Sequence, residues 1–107
     1  MVTSQPFRLI YAAQVKEQLK FVQRKYHSLI RDALETQLRY EPDVETRNRK
    51  PMEQPTLLEA NWELRFGSNN RFRAFYTINM GPREVNIIAI GVKQGNKLLI
   101  GGEEVEL

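Results

Sequence analysis

From Trp62 to Met80 the side-chain chemistry changes at nearly every second residue, which is the period of an extended strand. Trp62, Leu64 and Phe66 share one face, with Glu63 and Arg65 opposite. Gly67-Ser68-Asn69-Asn70 carries the small and polar residues of a turn. On the returning strand Phe72, Ala74, Tyr76, Ile78 and Met80 lie on one side, and Arg71, Arg73, Phe75 and Thr77 on the other. Gly81-Pro82 turns the chain again into Glu84–Lys93, which is apolar on both faces and reads as a central strand. A meander of this kind must bury one sheet face. The arginine face cannot be that face, because two guanidiniums would be buried without partners.

What covers the apolar face is legible upstream. Phe7-Arg8-Leu9-Ile10-Tyr11 alternates and predicts a short strand. The period then lengthens: Val15, Leu19, Val22 and Tyr26 recur at four, three and four, predicting an amphipathic helix over residues 12–26. Ser28 is placed to cap a second helix running to Tyr40, with Ile30, Ala33, Leu34 and Leu38 as its stripe. So few residues separate the two that they must fold back as a helical hairpin. The polar connection Glu41–Thr56, with Pro42, Pro51 and Pro55, has no period and is long for a passive loop. The expectation is one α+β domain over residues 1–107: an N-terminal strand, a two-helix hairpin, then a three-stranded antiparallel meander. The helices lie on one sheet face and the other is left partly open.

Several function classes fall away on composition. With no cysteine, neither disulfide scaffolds nor thiolate metal sites arise, and no metal or cofactor is expected. The longest apolar run, Ile87–Val92, is strand-sized, so no membrane span is expected. The N-terminal residues show neither a basic segment nor an apolar core of the secretory kind, and the expected location is cytoplasmic. Net charge is +3, and three of the thirteen acids, Glu103, Glu104 and Glu106, sit in the last five residues. The remaining body is therefore richer in cations and suits a polyanionic partner, since each neutralised phosphate releases counterions.

The open face concentrates those cations. Arg65, Arg71 and Arg73 share it, and on the next strand one face reads Val85, Ile87, Ala89, Gly91, Lys93, shrinking toward its end. Small residues beside long cationic ones make a groove suited to a phosphodiester backbone, and the planar guanidinium fork binds phosphate in two places. Arg47-Asn48-Arg49-Lys50, in the long polar connection, reads first as a solvated basic loop and second as a clamp on nucleic acid at the groove's rim. His27, the lone histidine, sits at the helix–helix turn and reads as a surface or capping residue. Spacing places no carboxylate beside it, so a catalytic triad has no support, and one histidine without cysteine does not build the usual metal-centred sites. Gly91–Lys97 lacks the spacing and the Ser or Thr of a phosphate loop.

Taken together, Trp62-Glu63-Leu64-Arg65-Phe66-Gly67, Asn70-Arg71-Phe72-Arg73-Ala74-Phe75-Tyr76 and Val85-Asn86-Ile87-Ile88-Ala89-Ile90-Gly91 resemble the RelE/ParE superfamily of toxins from type II toxin–antitoxin systems. The helical hairpin and Lys50-Pro51-Met52 match the family's order, so the resemblance spans roughly Phe7 to Lys97. It implies an endoribonuclease that cleaves messenger RNA on the ribosome, inhibits translation and is neutralised by a cognate acidic antitoxin. In that chemistry the RNA's own 2′-hydroxyl attacks the adjacent phosphate. The resemblance implies Arg65, Arg73 and Lys93 as catalytic residues, and Arg49, Lys50, Arg71 and Lys97 as RNA contacts. The family's nucleases commonly carry a tyrosine or histidine near the C-terminus. Here that stretch is Asn96-Lys97-Leu98-Leu99-Ile100, which leaves open two alternatives: a ParE-like toxin that targets DNA gyrase without cutting RNA, and a non-catalytic relic that only binds.

Overall fold

In the computed structural model, which describes residues 5–52 and 59–106, the chain is α+β, with two helices and a mostly antiparallel sheet. In order, β1 (Arg8–Tyr11), α1 (Ala13–Leu19), α2 (His27–Leu38), β2 (Arg49–Pro51), β3 (Trp62–Phe66), β4 (Phe72–Asn79), β5 (Glu84–Gln94), β6 (Lys97–Ile100) and β7 (Glu103–Glu104) follow one another. The sheet runs β2-β3-β4-β5 and then divides. Along one edge of β5, β1 pairs in parallel with Glu84–Ile87 and β6 pairs antiparallel with Gly91–Gln94.

The first helix is shorter than its periodicity predicts. It ends at Leu19, and residues 20–22 continue with tighter bonds: the Lys20, Phe21 and Val22 amides donate to Glu17, Gln18 and Leu19 carbonyls. His27 explains the stop. Its Nε2 lies 2.9 Å from the Leu19 carbonyl oxygen and 3.0 Å from that of Val22, so the ring takes over acceptors that a continuing helix would use. Ser28 does not cap α2; the helix starts at His27, two residues earlier than a Ser28 cap would place it, with Tyr26 at the cap position and no side-chain cap bond. The apolar stripes behave as expected, with Val15, Val22, Ile30, Leu34 and Leu38 all buried.

Those residues meet Leu64, Phe66, Phe72, Ala74, Tyr76, Val85, Ile87 and Ile90 of the sheet in the main core. Each large side chain fully buried here contributes about 1.5–3 kcal/mol. Tyr76 is the largest, and its hydroxyl donates to the Pro42 carbonyl at 2.7 Å, fastening the polar connection beneath the core. That connection is not featureless. It contains the edge strand β2, whose Arg49, Lys50 and Pro51 pair with Leu64, Glu63 and Trp62. Residues 53–56 of the expected loop lie outside those described.

One irregularity reorganises β5. Phe75 pairs with Ala89, but Tyr76 pairs with Ile87, so Ile88 is an extra residue in the ladder. Helix α1 covers the disturbance: Gln14 donates to the Ile88 carbonyl at 3.2 Å, and Gln18 Oε1 accepts from the Ile90 amide at 2.9 Å. The expected single face Val85, Ile87, Ala89, Gly91, Lys93 is thereby split. Val85 and Ile87 join the main core, while Ala89 belongs to a second cluster with Ala60, Phe75 and Ile100 on the far side. Met52, Leu98 and Val105 pack against that cluster, so the face expected to be open is partly filled.

Candidate functional site

Beside the second cluster lies a groove of about 460 Å³, lined by Glu63, Arg65, Arg73, Lys93, Asn96, Leu98 and residues 104–106. Register explains the gathering. Arg65 stands directly opposite Arg73, Arg73 opposite Gly91, and Lys93 opposite Leu98, all on the face away from the helices. The space above Gly91 is taken by β6: a Cβ there would come within 2.9 Å of Leu98 Cδ1 and 3.2 Å of Ile100 Cγ1.

Arg73 is the centre of the site. It is 9% exposed, yet its Nε has no hydrogen-bond partner among the described residues. Its Nη1 reaches Glu63 Oε2 at only 3.8 Å, whereas Arg65 Nε holds Glu63 Oε1 at 3.0 Å. Burial, and then the charge of Arg65 opposite, hold the Arg73 guanidinium below the usual arginine range, with Glu63 pulling the other way. A desolvated cation with one distant counter-charge is disposed to accept an anion, because the anion supplies the missing counter-charge without a further desolvation of the arginine. Arg65 is half exposed on the same groove, within the reach of a ligand held by Arg73.

The groove is not simply positive. Three cations, Arg65, Arg73 and Lys93, face three carboxylates, Glu63, Glu104 and Glu106. Glu63 is engaged by both arginines, and the other two sit on the exposed C-terminal segment, where the Val105 amide donates to the Leu98 carbonyl at 2.9 Å. Sequence reasoning treated those acids only as a tail that offsets charge. The signal that would have placed them is the pair of short turns, Gly95-Asn96 and Gly101-Gly102, which fold the apolar run Leu98–Ile100 back beside β5 and carry the acids with it.

The other sequence-derived contacts are scattered. Lys50 is exposed and pairs with Glu63, so it flanks the groove on the same face. Arg49 does not: it is 6% exposed on the helix side, donating to the Val44 carbonyl at 2.8 Å and to Gln37 Oε1 at 3.0 Å. Arg71 also turns away. Its backbone is helical (φ −72°, ψ −20°) at the end of the Ser68–Asn70 turn, which takes it out of the strand alternation. Its guanidinium lies over Tyr26 and Phe72, with ring centroids 4.8 and 5.3 Å away. Lys97 pairs with Gln94 and is exposed, so it alternates to the opposite face from Leu98 and Lys93. No family model matches the chain, and comparisons with curated proteins and with solved structures likewise find no match.

Proposed function

We propose that the chain is the toxin of a toxin–antitoxin pair, an endoribonuclease that inhibits translation by cutting messenger RNA in the Arg65–Arg73–Lys93 groove. The observation that carries this reading is Arg73: a nearly buried guanidinium with an unpartnered Nε, backed by a second arginine and a lysine. In the reaction, the 2′-hydroxyl oxygen forms a bond to the neighbouring phosphorus and the bond from phosphorus to the 5′-oxygen breaks. The products are a 2′,3′-cyclic phosphate and a 5′-hydroxyl end. Arg73 and Arg65 stabilise the extra negative charge on the phosphoryl oxygens. A proton leaves the 2′-hydroxyl and one must reach the 5′-oxygen; a carboxylate of Glu63, Glu104 or Glu106 can accept the first, and the carboxyl so formed can return it to the 5′-oxygen. A cognate acidic antitoxin is the partner of this reading, and the cytoplasm its setting.

The purified protein, added to a translating extract, should produce new 5′-hydroxyl RNA ends, and Arg73→Gln should lose them while keeping the wild-type circular dichroism spectrum. Intact transcripts in the presence of wild-type protein would sink the nuclease reading. One observation favours the gyrase alternative: the groove's described lining contains no histidine or tyrosine. Uncut transcripts together with a DNA-damage response on expression would establish that alternative.

A further inference from the structure

A second feature lies on the opposite sheet face from the groove. Phe72 and Arg73 are neighbours on β4, and Val92 and Lys93 on β5, so their side chains alternate to opposite sides. On the helix side, the end of α1 and the β6–β7 turn enclose a crevice of about 140 Å³. A cavity of about 150 Å³ is enough to take a benzene ring. The crevice is close to that size, the scale of a single six-membered ring.

Its chemistry suits a nucleobase. Phe72, Ile90 and Val92 make an apolar floor, and Gln18, Gln94 and Arg71 supply polar edges. Two of those edges are fixed in advance. Gln18 Oε1 is held by the Ile90 amide, which orients the side-chain amide and leaves its Nε2 as a donor. Arg71 is locked by its stacking on Tyr26 and by a 3.1 Å bond from Nη1 to the Tyr26 hydroxyl. At the mouth stands Phe21, 66% exposed, the most exposed large apolar side chain described. Its ring rests against Gly102, where an added Cβ would lie 2.6 Å from Phe21 Cδ1. An aromatic ring held open to water beside a ring-sized slot is the arrangement that stacks single-stranded bases.

Phosphates would find cations here too. Lys20, Arg24 and Lys25 are exposed around Phe21; Lys20 pairs with Glu17 at 3.0 Å, while Arg24 and Lys25 have no carboxylate within salt-bridge distance among the described residues. Cations alone would equally hold an acidic peptide. The slot and the open ring favour a base, because a peptide carboxylate uses neither.

We propose that the Phe21 crevice binds one base of a single-stranded RNA, with Arg24 and Lys25 on the flanking phosphates. The choice of RNA as ligand rests on the reading of the Arg73 groove; the contact itself is made by different residues on a different face. The test is fluorescence-anisotropy titration of a short labelled single-stranded RNA against the full chain. Phe21→Ala should weaken binding about tenfold, as loss of one stacked base does. Phe21→Leu should weaken it nearly as much, because it keeps the apolar bulk without the ring face. Arg24→Ala and Lys25→Ala should each reduce the salt slope by roughly 0.7. Amide signals of Gln18 and Gln94 should shift on RNA addition. Phe21 is exposed enough that none of this needs a change in melting temperature, which is measured alongside. Phe21 variants that bind like wild type while Lys93→Gln weakens binding overturn the crevice and leave the groove standing. Loss in the Phe21 variants with none in Lys93→Gln supports the crevice and removes the groove. A wild-type chain that ignores RNA, or that binds oligoglutamate at these amides instead, overturns the crevice proposal outright.

Discussion

Replacing Arg73 by methionine separates what the residue does for the fold from what it does for a ligand. In most proteins, removing one partner of a buried ion pair costs about 3–5 kcal/mol, because the other charge is left alone in a poorly hydrated place. Glu63 would not be left alone: Arg65 Nε stays on its other oxygen at 3.0 Å, and only the long 3.8 Å approach of Arg73 Nη1 disappears. Against that small cost stand two favourable changes. Arg65 and Arg73 are directly opposite on neighbouring strands, and like charges so placed cost about 0.2–1 kcal/mol. The guanidinium, 9% exposed with its Nε unpartnered, also no longer has to be stripped of water. Methionine fills much of the same unbranched space.

The expected result is a gain of about 1 kcal/mol, or a rise of roughly 4 °C in melting temperature for a domain of this size. The folded-state pKa of Arg73 lies below its unfolded value, so the wild-type penalty is fully present at every pH below both. The gain should therefore be flat across neutral pH and shrink only in strong alkali, as the wild-type residue deprotonates. RNA affinity should move the other way, falling about 10- to 100-fold with the loss of a charge-assisted, two-pronged contact. Differential scanning calorimetry and an anisotropy titration on the same sample give both numbers. A melting temperature lowered by more than about 4 °C would make Arg73 a structural residue and refute the reasoning, as would a folded variant with unchanged RNA affinity.

Three further expectations use neighbouring residues. Arg49→Met should destabilise the chain by about 1–3 kcal/mol in urea titrations, since it removes the guanidinium's bonds to the Val44 carbonyl and Gln37 Oε1, yet leave the RNA affinity of the folded protein unchanged. Tyr76→Phe should cost about 1–3 kcal/mol by orphaning the Pro42 carbonyl. Burial raises the Tyr76 pKa above its unfolded value of about 10, so its contribution is complete below that pH and lost as pH rises beyond it; melts at rising pH should show an alkaline decline that Tyr76→Phe lessens. Wild-type RNA binding should fall with salt at a logarithmic slope of about −2 if the three groove cations each meet a phosphate, and steeper by up to about 1.4 if Arg24 and Lys25 also do. A slope near zero would exclude phosphate contacts by either set.

The helical stripes and the alternation of β3 were legible because burial writes them directly into residue order, whereas β4 alternates in chemistry only, since Phe72–Tyr76 are buried on both faces. Arg65, Arg73 and Lys93 do lie along one groove, but Lys93 reaches it by a route its residue order does not show, since its strand does not keep one parity. Arg71 left the set because a turn residue in helical backbone no longer alternates, which no neighbour in the sequence announces. Arg49 looked like a loop cation and is instead tied to Gln37 and Val44, a tertiary fact without a local signal. Helix α1 ends early without proline or glycine because a histidine eight residues on competes for the Leu19 carbonyl. The β6 and β7 strands were the avoidable omission: Gly95-Asn96 and Gly101-Gly102 are hairpin turn pairs around an apolar run.

The bulge at Ile88 joins fold to site. Were β5 a regular strand from Val85, parity would put Ala89, Gly91 and Lys93 on the helix side with Val85 and Ile87. Lys93 would then point into the side that holds Phe72 and Leu99, and Ile90 and Val92 would stand beside Arg73. Neither face would work, since one would bury a lone ammonium and the other would crowd the guanidiniums with branched side chains. The extra residue lets the strand supply Val85 and Ile87 to the core, then Ile90 and Val92 to the same core, while delivering the slim Gly91 and the cationic Lys93 to the groove. The backbone groups so disturbed are met by Gln14 and Gln18 from α1. Gln18 is also an edge of the Phe21 crevice, so one side chain braces the irregularity that shapes the groove and orients the polar edge of the crevice behind it. Gln18→Leu should consequently disturb both faces at once, seen as chemical-shift changes at Gly91 and Lys93 as well as at Gln94. Shifts confined to the crevice side would show that the bulge stands without the helix.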